Sequence, residues 1–196
     1  MSETRLHTLL RSVSRDLTVS GAFHALVGGL AVSVRTEPRF TRDLDLAVAV
    51  TNDRDAEALI NFLRSRDYRV ETLVEQEAVN RLATVRLVPS GEPALIVDLL
   101  FASSGIEPEI VSAANALEIV EGVVVPVATV AHLIATKVLS RDDDRRPQDR
   151  MDLASLLKAA DANDLSAARD ALRTIEARGF SRGKQLLSEL DNLLNS

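Results

Sequence analysis

The chain opens on a helical pattern. Leu6, Leu9, Leu10, Val13 and Leu17 share one stripe, and their spacing predicts an amphipathic helix over residues 3–18. The period then shortens to two. Over residues 43–50, alternation sends Leu44, Leu46, Val48 and Val50 to one face of a strand, and Asp43, Asp45, Ala47 and Ala49 to the other. Residues 94–102 are apolar on both faces apart from Asp98, the pattern of a fully buried strand. Shorter runs predict strands at 25–27, 68–73 and 80–88 and a strand pair around Gly122, with helices at 30–36, 54–66 and 107–114. Residues Val127, Val130, Ala131, Ile134, Ala135 and Val138 return to helical spacing, so a helix is expected over 127–140 with Pro126 as its starter. Further helices are expected at 149–160, 165–178 and 182–194. Strands dominate the first two thirds and helices the last, which argues an α+β fold with a helical bundle at the C-terminal end.

The chemistry concentrates where the glycine turn Gly28-Gly29 precedes the Asp43 to Asp45 strand. Two carboxylates at i and i+2, with only alanines beyond them on that face, leave room for a bulky cation. Mg²⁺ carrying a nucleoside triphosphate suits the pair, because Mg²⁺ takes one or two carboxylates plus phosphate oxygens and water. Asp98 adds a third acid inside an apolar strand, where an ionised carboxylate is costly unless paired or metal-bound. If its strand lies beside the Asp43 to Asp45 strand, three carboxylates can hold two metal ions in the arrangement used for in-line phosphoryl displacement. Later in the chain, His132 and Lys137 fall off the apolar stripe of the 127–140 helix. A lysine so placed ordinarily faces solvent. Asp149 and Asp152, three residues apart, can share a helix face; an aspartate in a first helical turn also serves as an ordinary cap.

At these residues the chain resembles the nucleotidyltransferase superfamily related to DNA polymerase β, with its glycine turn, Asp-x-Asp pair and later acid. A longer match is narrower. Arg39-x-Thr41-x-Asp43-Leu44-Asp45, Val97-Asp98-Leu99-Leu100, Thr136-Lys137-Val138-Leu139 and Arg146-Pro147-Gln148-Asp149-Arg150-Met151-Asp152-Leu153 resemble, in that order, the AbiEii-type nucleotidyltransferase toxins of bacterial toxin–antitoxin systems. The resemblance spans roughly residues 22–160. It implies a nucleotidyltransferase core with a mixed sheet flanked by helices over residues 1–125 and a C-terminal helical region over 126–196. It also implies that Asp43 and Asp45 are metal ligands and that Asp98 is a third acid at or beside the metal, Mg²⁺ or Mn²⁺. Gly28, Gly29 and Thr41 would hold the triphosphate, Lys137 would meet its phosphates, and Asp152 with Asp149 would form the late acidic motif. The chain departs from many relatives in carrying Gly29 where they have serine; Ser33 is one helical turn onward.

Composition changes the picture in two respects. The 196 residues include no cysteine, which excludes disulfides and thiolate zinc sites, and His7, His24 and His132 lack ligand spacing. With 29 acidic against 23 basic residues the net charge is −6, so no general basic coat draws in nucleic acid. Locally the sign reverses: Arg35, Arg39 and Arg42 flank the first motif and Arg141, Arg145, Arg146 and Arg150 the last, either as a solvated face or as a clamp for an RNA end. Five Phe, one Tyr and no Trp argue against an aromatic platform for single strands. Asp142-Asp143-Asp144 reads as an exposed, mobile loop. No apolar signal core or membrane-length run is present, so a cytoplasmic protein is expected.

The leading expectation is therefore transfer of a nucleoside monophosphate from a nucleoside triphosphate to an acceptor hydroxyl. The resemblance implies an RNA acceptor such as the 3′ end of tRNA, and a separate antitoxin as partner. The alternatives are modification of a small molecule such as an aminoglycoside, modification of a partner protein, or a nucleotide-binding module without turnover.

Overall fold

The computed structural model describes residues 5–76, 79–91, 94–142 and 147–195. In chain order the elements are α1 (Arg5–Val19), β1 (Phe23–Val27), α2 (Gly28–Arg35), β2 (Asp43–Ala49), α3 (Asp53–Arg64), β3 (Tyr68–Gln76), β4 (Arg81–Pro89) and β5 (Ile96–Leu100). They continue as α4 (Glu107–Ala113), β6 (Asn115–Val120), β7 (Val123–Val127), α5 (Val130–Ser140), α6 (Pro147–Ala159), α7 (Ala162–Ala177) and α8 (Leu186–Leu194). The strands form one mixed sheet in the order β3-β4-β5-β2-β1-β7-β6. The β2–β5 and β1–β7 pairs are parallel and the others antiparallel. This is the expected α+β architecture, a mixed sheet flanked by helices with a helical C-terminal end.

Alternation along the central strands decides which side is buried against what. Leu44, Leu46 and Val48 are fully buried on one face, where α1 packs through Leu10, Val13 and Leu17. Each such leucine contributes about 1.5–3 kcal/mol relative to exposure. Beneath α1 two polar pairs are sealed in: Ser14 Oγ lies 2.7 Å from His24 Nε2, and Tyr68 donates its hydroxyl to Asp16 at 3.2 Å. Helix α3 begins at Asn52, whose side chain accepts from the Asp55 amide, and buries Ala56, Leu59, Ile60 and Leu63. The opposite face of β1 and β2, carrying Asp45 and Ala47, is covered by α4 and α5, and this is where the site lies.

The late helices pack on one another, α5 against α6, α7 and α8, and α2 reaches both α5 and α6. Helix α7 starts with a reciprocal capping box between Asp161 and Asp164 and buries Ala168, Ala171, Leu172 and Ile175.

Three helices start three or four residues from the expected position: α7 at Ala162 rather than 165, α8 at Leu186 rather than 182, and α5 at Val130 rather than 127. Pro126 does not open a helix but sits inside β7, and α5 begins at Val130 with the Thr129 side chain accepting from the His132 amide. Val127 pairs with Asn115 of β6 and Leu26 of β1, and these pairings hold it extended despite its place on the helical stripe. The division expected at residues 125 and 126 therefore runs through a strand. The loop expected at Asp142 to Asp144 lies, beyond Asp142, outside the described residues, as do Arg145 and Arg146.

Candidate active site

Strand register builds the site. Arg86 of β4 stands opposite Asp98 of β5, Asp98 opposite Asp45 of β2, and Asp45 opposite Val27 of β1. Residues in one such row project to the same face. The adjacency assumed between the two acidic strands is thus present, with Asp45 and Asp98 as direct neighbours in a parallel ladder. In the next row lie Thr84, Leu100 and Ala47. Asp43 sits at the mouth of β2 opposite Ile96, and Thr41 donates its hydroxyl to the Asp43 carbonyl at 3.4 Å.

Immediately after Val27 the backbone turns at Gly28 with φ +64°, a conformation in which any Cβ is strained. A Cβ there would also overlap the Asp45 carboxylate. Gly28 therefore lets the N-terminus of α2 come down directly on the acidic strand, so that α2 opens beside Asp45.

A cavity of about 230 Å³ lies between this row, α4 and α5, lined in part by Gly28, Asp45, Asp98, Glu107, Thr136 and Lys137. Asp98 is not open to it as a bare carboxylate. Arg86 donates Nε to Oδ1 at 2.9 Å and Nη2 to Oδ2 at 2.7 Å, a two-pronged ion pair. The bond to Asp98 raises the Arg86 guanidinium above its ordinary value, and the charge of nearby Asp43 adds to the effect. Deeper in, the buried Glu107 carboxylate accepts from the amides of Ser103, Ser104 and Gly105 and from the Ser104 hydroxyl. Burial pushes its pKa upward, against the pull of those bonds. It holds the loop that leaves β5.

The late motif forms a second cluster on the same cavity. Lys137 Nζ lies 2.6 Å from Asp149 Oδ1 and 2.8 Å from Asp152 Oδ2, and only 12% of its side chain is exposed. Ser140 donates to the other Asp149 oxygen at 3.1 Å. Asp152 is 1% exposed and also takes Arg39, with Nη2 donating to Oδ2 at 2.8 Å and Nε 2.7 Å from Oδ1. Burial opposes its charge, but the bonds from Arg39 and Lys137 prevail and hold its carboxyl below the usual range. The lysine thus does not face solvent, and Asp149 and Asp152 do share one helix face.

Gly28, Asp45, Asp98 and Lys137 come together around one cavity, while Gly29 and Asp152 stand just behind it. Ser33 is engaged within its own neighbourhood, donating to the Gly29 carbonyl at 3.1 Å and accepting from the Arg39 amide. Arg35 is spent on the carbonyls of Val127 and Ala128, and Arg42 lies over the exposed Phe40 ring. Sequence reasoning missed Arg86 and Glu107.

The donor chemistry of Asp43 and Asp45, two carboxylates on one strand face beside a glycine turn, fits a divalent ion completed by nucleotide phosphates. The three-carboxylate arrangement is less complete: among the described residues no group of three or more His, Asp or Glu side chains is placed to hold a metal. Asp98 is engaged by Arg86 instead.

Comparison with known proteins bears on the family and the fold. A family model described as the nucleotidyl transferase AbiEii toxin of type IV toxin–antitoxin systems matches residues 11–195. No curated protein matches the chain. Among solved structures, an antigenic nucleotidyltransferase-like protein from Paracoccidioides brasiliensis is 21% identical with a TM-score of 0.56, over 97% of this chain and 94% of that one. The antibiotic-resistance factor ANT(2″)-Ia is 17% identical with a TM-score of 0.57, over 90% and 96% of the two chains. A Thermotoga maritima protein described as a putative nucleotidyltransferase is 14% identical with a TM-score of 0.52, over 82% and 97%. At these identities the likeness is one of fold.

Proposed function

Because the chain belongs to the AbiEii nucleotidyl transferase toxin family, and is on that ground an NTP-using nucleotidyltransferase, we propose that it transfers a nucleoside monophosphate to an RNA acceptor hydroxyl such as the 3′ end of tRNA. In this reading it works in the cytoplasm with Mg²⁺ or Mn²⁺ and is countered by a separate antitoxin. The observation that supports it is the meeting of Gly28, Asp45, Asp98 and Lys137 on one cavity. An anionic substrate needs amide donors, a cation and carboxylates for its metal in one place.

The amides at the start of α2 donate to phosphate oxygens, favoured by the partial positive charge of a helix N-terminus. Asp43 and Asp45 would hold the divalent ion, which when bound supplies Lewis-acid stabilisation of charge on the transferring phosphate. Lys137, restrained by Asp149 and Asp152, offsets charge on the departing pyrophosphate. The acceptor oxygen forms its bond to the α-phosphorus as the bond to the bridging oxygen breaks. Its proton passes to water or to Asp98, which must first yield one oxygen from Arg86. The exposed Arg42 and Arg150, beside the first and last motifs in the chain, supply positive charge for an RNA backbone.

The test is incubation with Mg²⁺, each labelled nucleoside triphosphate and total bacterial RNA, with aminoglycosides and a lysate protein fraction in parallel. Label on a tRNA-sized band is expected. Label confined to the small molecule or to a protein would overturn the acceptor assignment.

A further inference from the structure

Gly29 poses a question that backbone geometry does not answer. Unlike Gly28 it has no positive φ, and it lies in the first turn of α2, where the backbone accepts alanine. What forbids a side chain is Arg39: a Cβ on Gly29 would run into the Arg39 guanidinium. That guanidinium is also held on its other side. Its Nη2 and Nε reach the nearly inaccessible Asp152, its Nη1 donates to the Phe40 carbonyl at 3.2 Å, and the Arg39 amide donates to Ser33 Oγ at 3.3 Å. Ser33 in turn donates to the Gly29 carbonyl.

We propose that Gly29 is the seat of Arg39, and that Arg39 is a positioning residue joining the glycine turn to the Lys137 and Asp152 pair. The inference rests on the reading of that turn and lysine as the triphosphate site. Asp152 is shared between two cations. With Arg39 in place, Lys137 divides its bonds between Asp149 and Asp152 and stays at the cavity wall. Without Arg39, the buried Asp152 has lost the Nη2 hydrogen bond and the close guanidinium charge and draws Lys137 onto itself, away from the phosphates. The same loss loosens the 36–42 segment that leads into Asp43. A lysine at position 39 cannot substitute, because a compact ammonium lacks the planar guanidinium whose Nη2 reaches Asp152 while its Nη1 reaches the Phe40 carbonyl.

The proposal fixes a sign for a double-mutant cycle. Arg39 ends a flexible side chain, so Gly29→Ala expels the guanidinium rather than breaking the backbone, and its cost is the lost bond to Asp152. Once Arg39 is already alanine, the new methyl has room and helix propensity favours it.

The experiment compares Gly29→Ala, Arg39→Ala, Arg39→Lys and Gly29→Ala/Arg39→Ala. It reads melting temperature and the affinity for a non-hydrolysable nucleoside triphosphate with Mg²⁺. Each single variant is expected to melt roughly 5 °C or more below wild type, and the double no lower than Arg39→Ala alone. Triphosphate binding is expected to weaken about tenfold in each single variant, including Arg39→Lys, with no further loss in the double. Additive melting losses, or Gly29→Ala melting like wild type, overturn the seat. Melting losses with unchanged triphosphate affinity overturn the link to the phosphate site. Wild-type protein that binds no triphosphate overturns the proposed function and that link together, while the melting cycle still decides the seat by itself.

Discussion

Replacing Arg86 by methionine tests how the acidic row is balanced. The guanidinium makes two bonds to Asp98, at 2.9 and 2.7 Å, with side-chain exposures of 40% for the arginine and 12% for the aspartate. Stripping one partner from a fully buried ion pair costs about 3–5 kcal/mol, and an exposed pair contributes at most about 1 kcal/mol. The half-open arginine puts this pair between those limits, so about 2 kcal/mol is expected. For a chain of this size that corresponds to roughly 4–8 °C in melting temperature. The loss should depend on metal. With Arg86 gone, Asp98 and its neighbour Asp45 face each other without the positive charge that neutralises Asp98 from its other side, and Mg²⁺ at a hundred times its dissociation constant would return about 2.7 kcal/mol. Thermal unfolding of Arg86→Met and wild type, each in EDTA and in Mg²⁺, measures both quantities. Arg86→Met/Asp98→Asn, which removes both charges, should melt closer to wild type than Arg86→Met does in EDTA. A variant that melts like wild type in EDTA, or that gains no more from Mg²⁺ than wild type gains, would refute the reasoning.

Asp43→Ala and Asp45→Ala should each lower nucleotide transfer about a thousandfold or more, some 4 kcal/mol of transition-state stabilisation, without lowering the melting temperature in EDTA; transfer within tenfold of wild type by a folded Asp45→Ala protein would count against the metal assignment. Lys137→Ala should lower turnover by about a hundredfold or more when assayed well below its melting temperature, whereas the exposed Lys158 should be replaceable by alanine with no change in rate. Burial holds the imidazoles of His24 and His132 below their ordinary value. The unfolded chain therefore takes up more protons below about pH 6.5, and stability is fully present above that pH and falls as pH drops through it. Urea midpoints at pH 7.5 and 5.5 check this, and His24→Gln should show the shallower slope.

The parts of the site that the sequence reveals are those written in the apolar pattern. Asp43 and Asp45 stand out because alternation places them together, and Asp98 because it interrupts an apolar run. Arg86 stays hidden for the converse reason. It occupies the polar phase of an alternating strand, beside the buried Ala83, Val85 and Leu87, and reads there as an ordinary solvent-facing residue. The clue was the hairpin: every pair between β4 and β5 mirrors about residue 92, which sets Arg86 against Asp98. Lys137 misleads similarly. Hydrophobic periodicity reports burial against apolar neighbours and is blind to burial under carboxylates from another helix. Pro126 misleads because a helix starter and a residue of a briefly paired strand look alike until the partners of that strand are known.

Arg35 gives the sheet an unusual seam. Between β1 and β7 the register pairs only Leu26 with Val127 among the described residues, extended by the Ala128 amide donating to the Leu26 carbonyl. Further hydrogen bonds to the hairpin come from one side chain of α2: Arg35 Nε to the Ala128 carbonyl, and Nη2 to the Val127 carbonyl and the Asn115 side chain, at 2.8–3.0 Å. The β6–β7 hairpin is thus fastened to α2 as well as paired and packed against β1. The fastening residue is the last of α2, a rod of roughly 12 Å whose first residue is Gly28. Arg35 thereby ties the outer β6–β7 hairpin to the same helix that opens at the glycine turn.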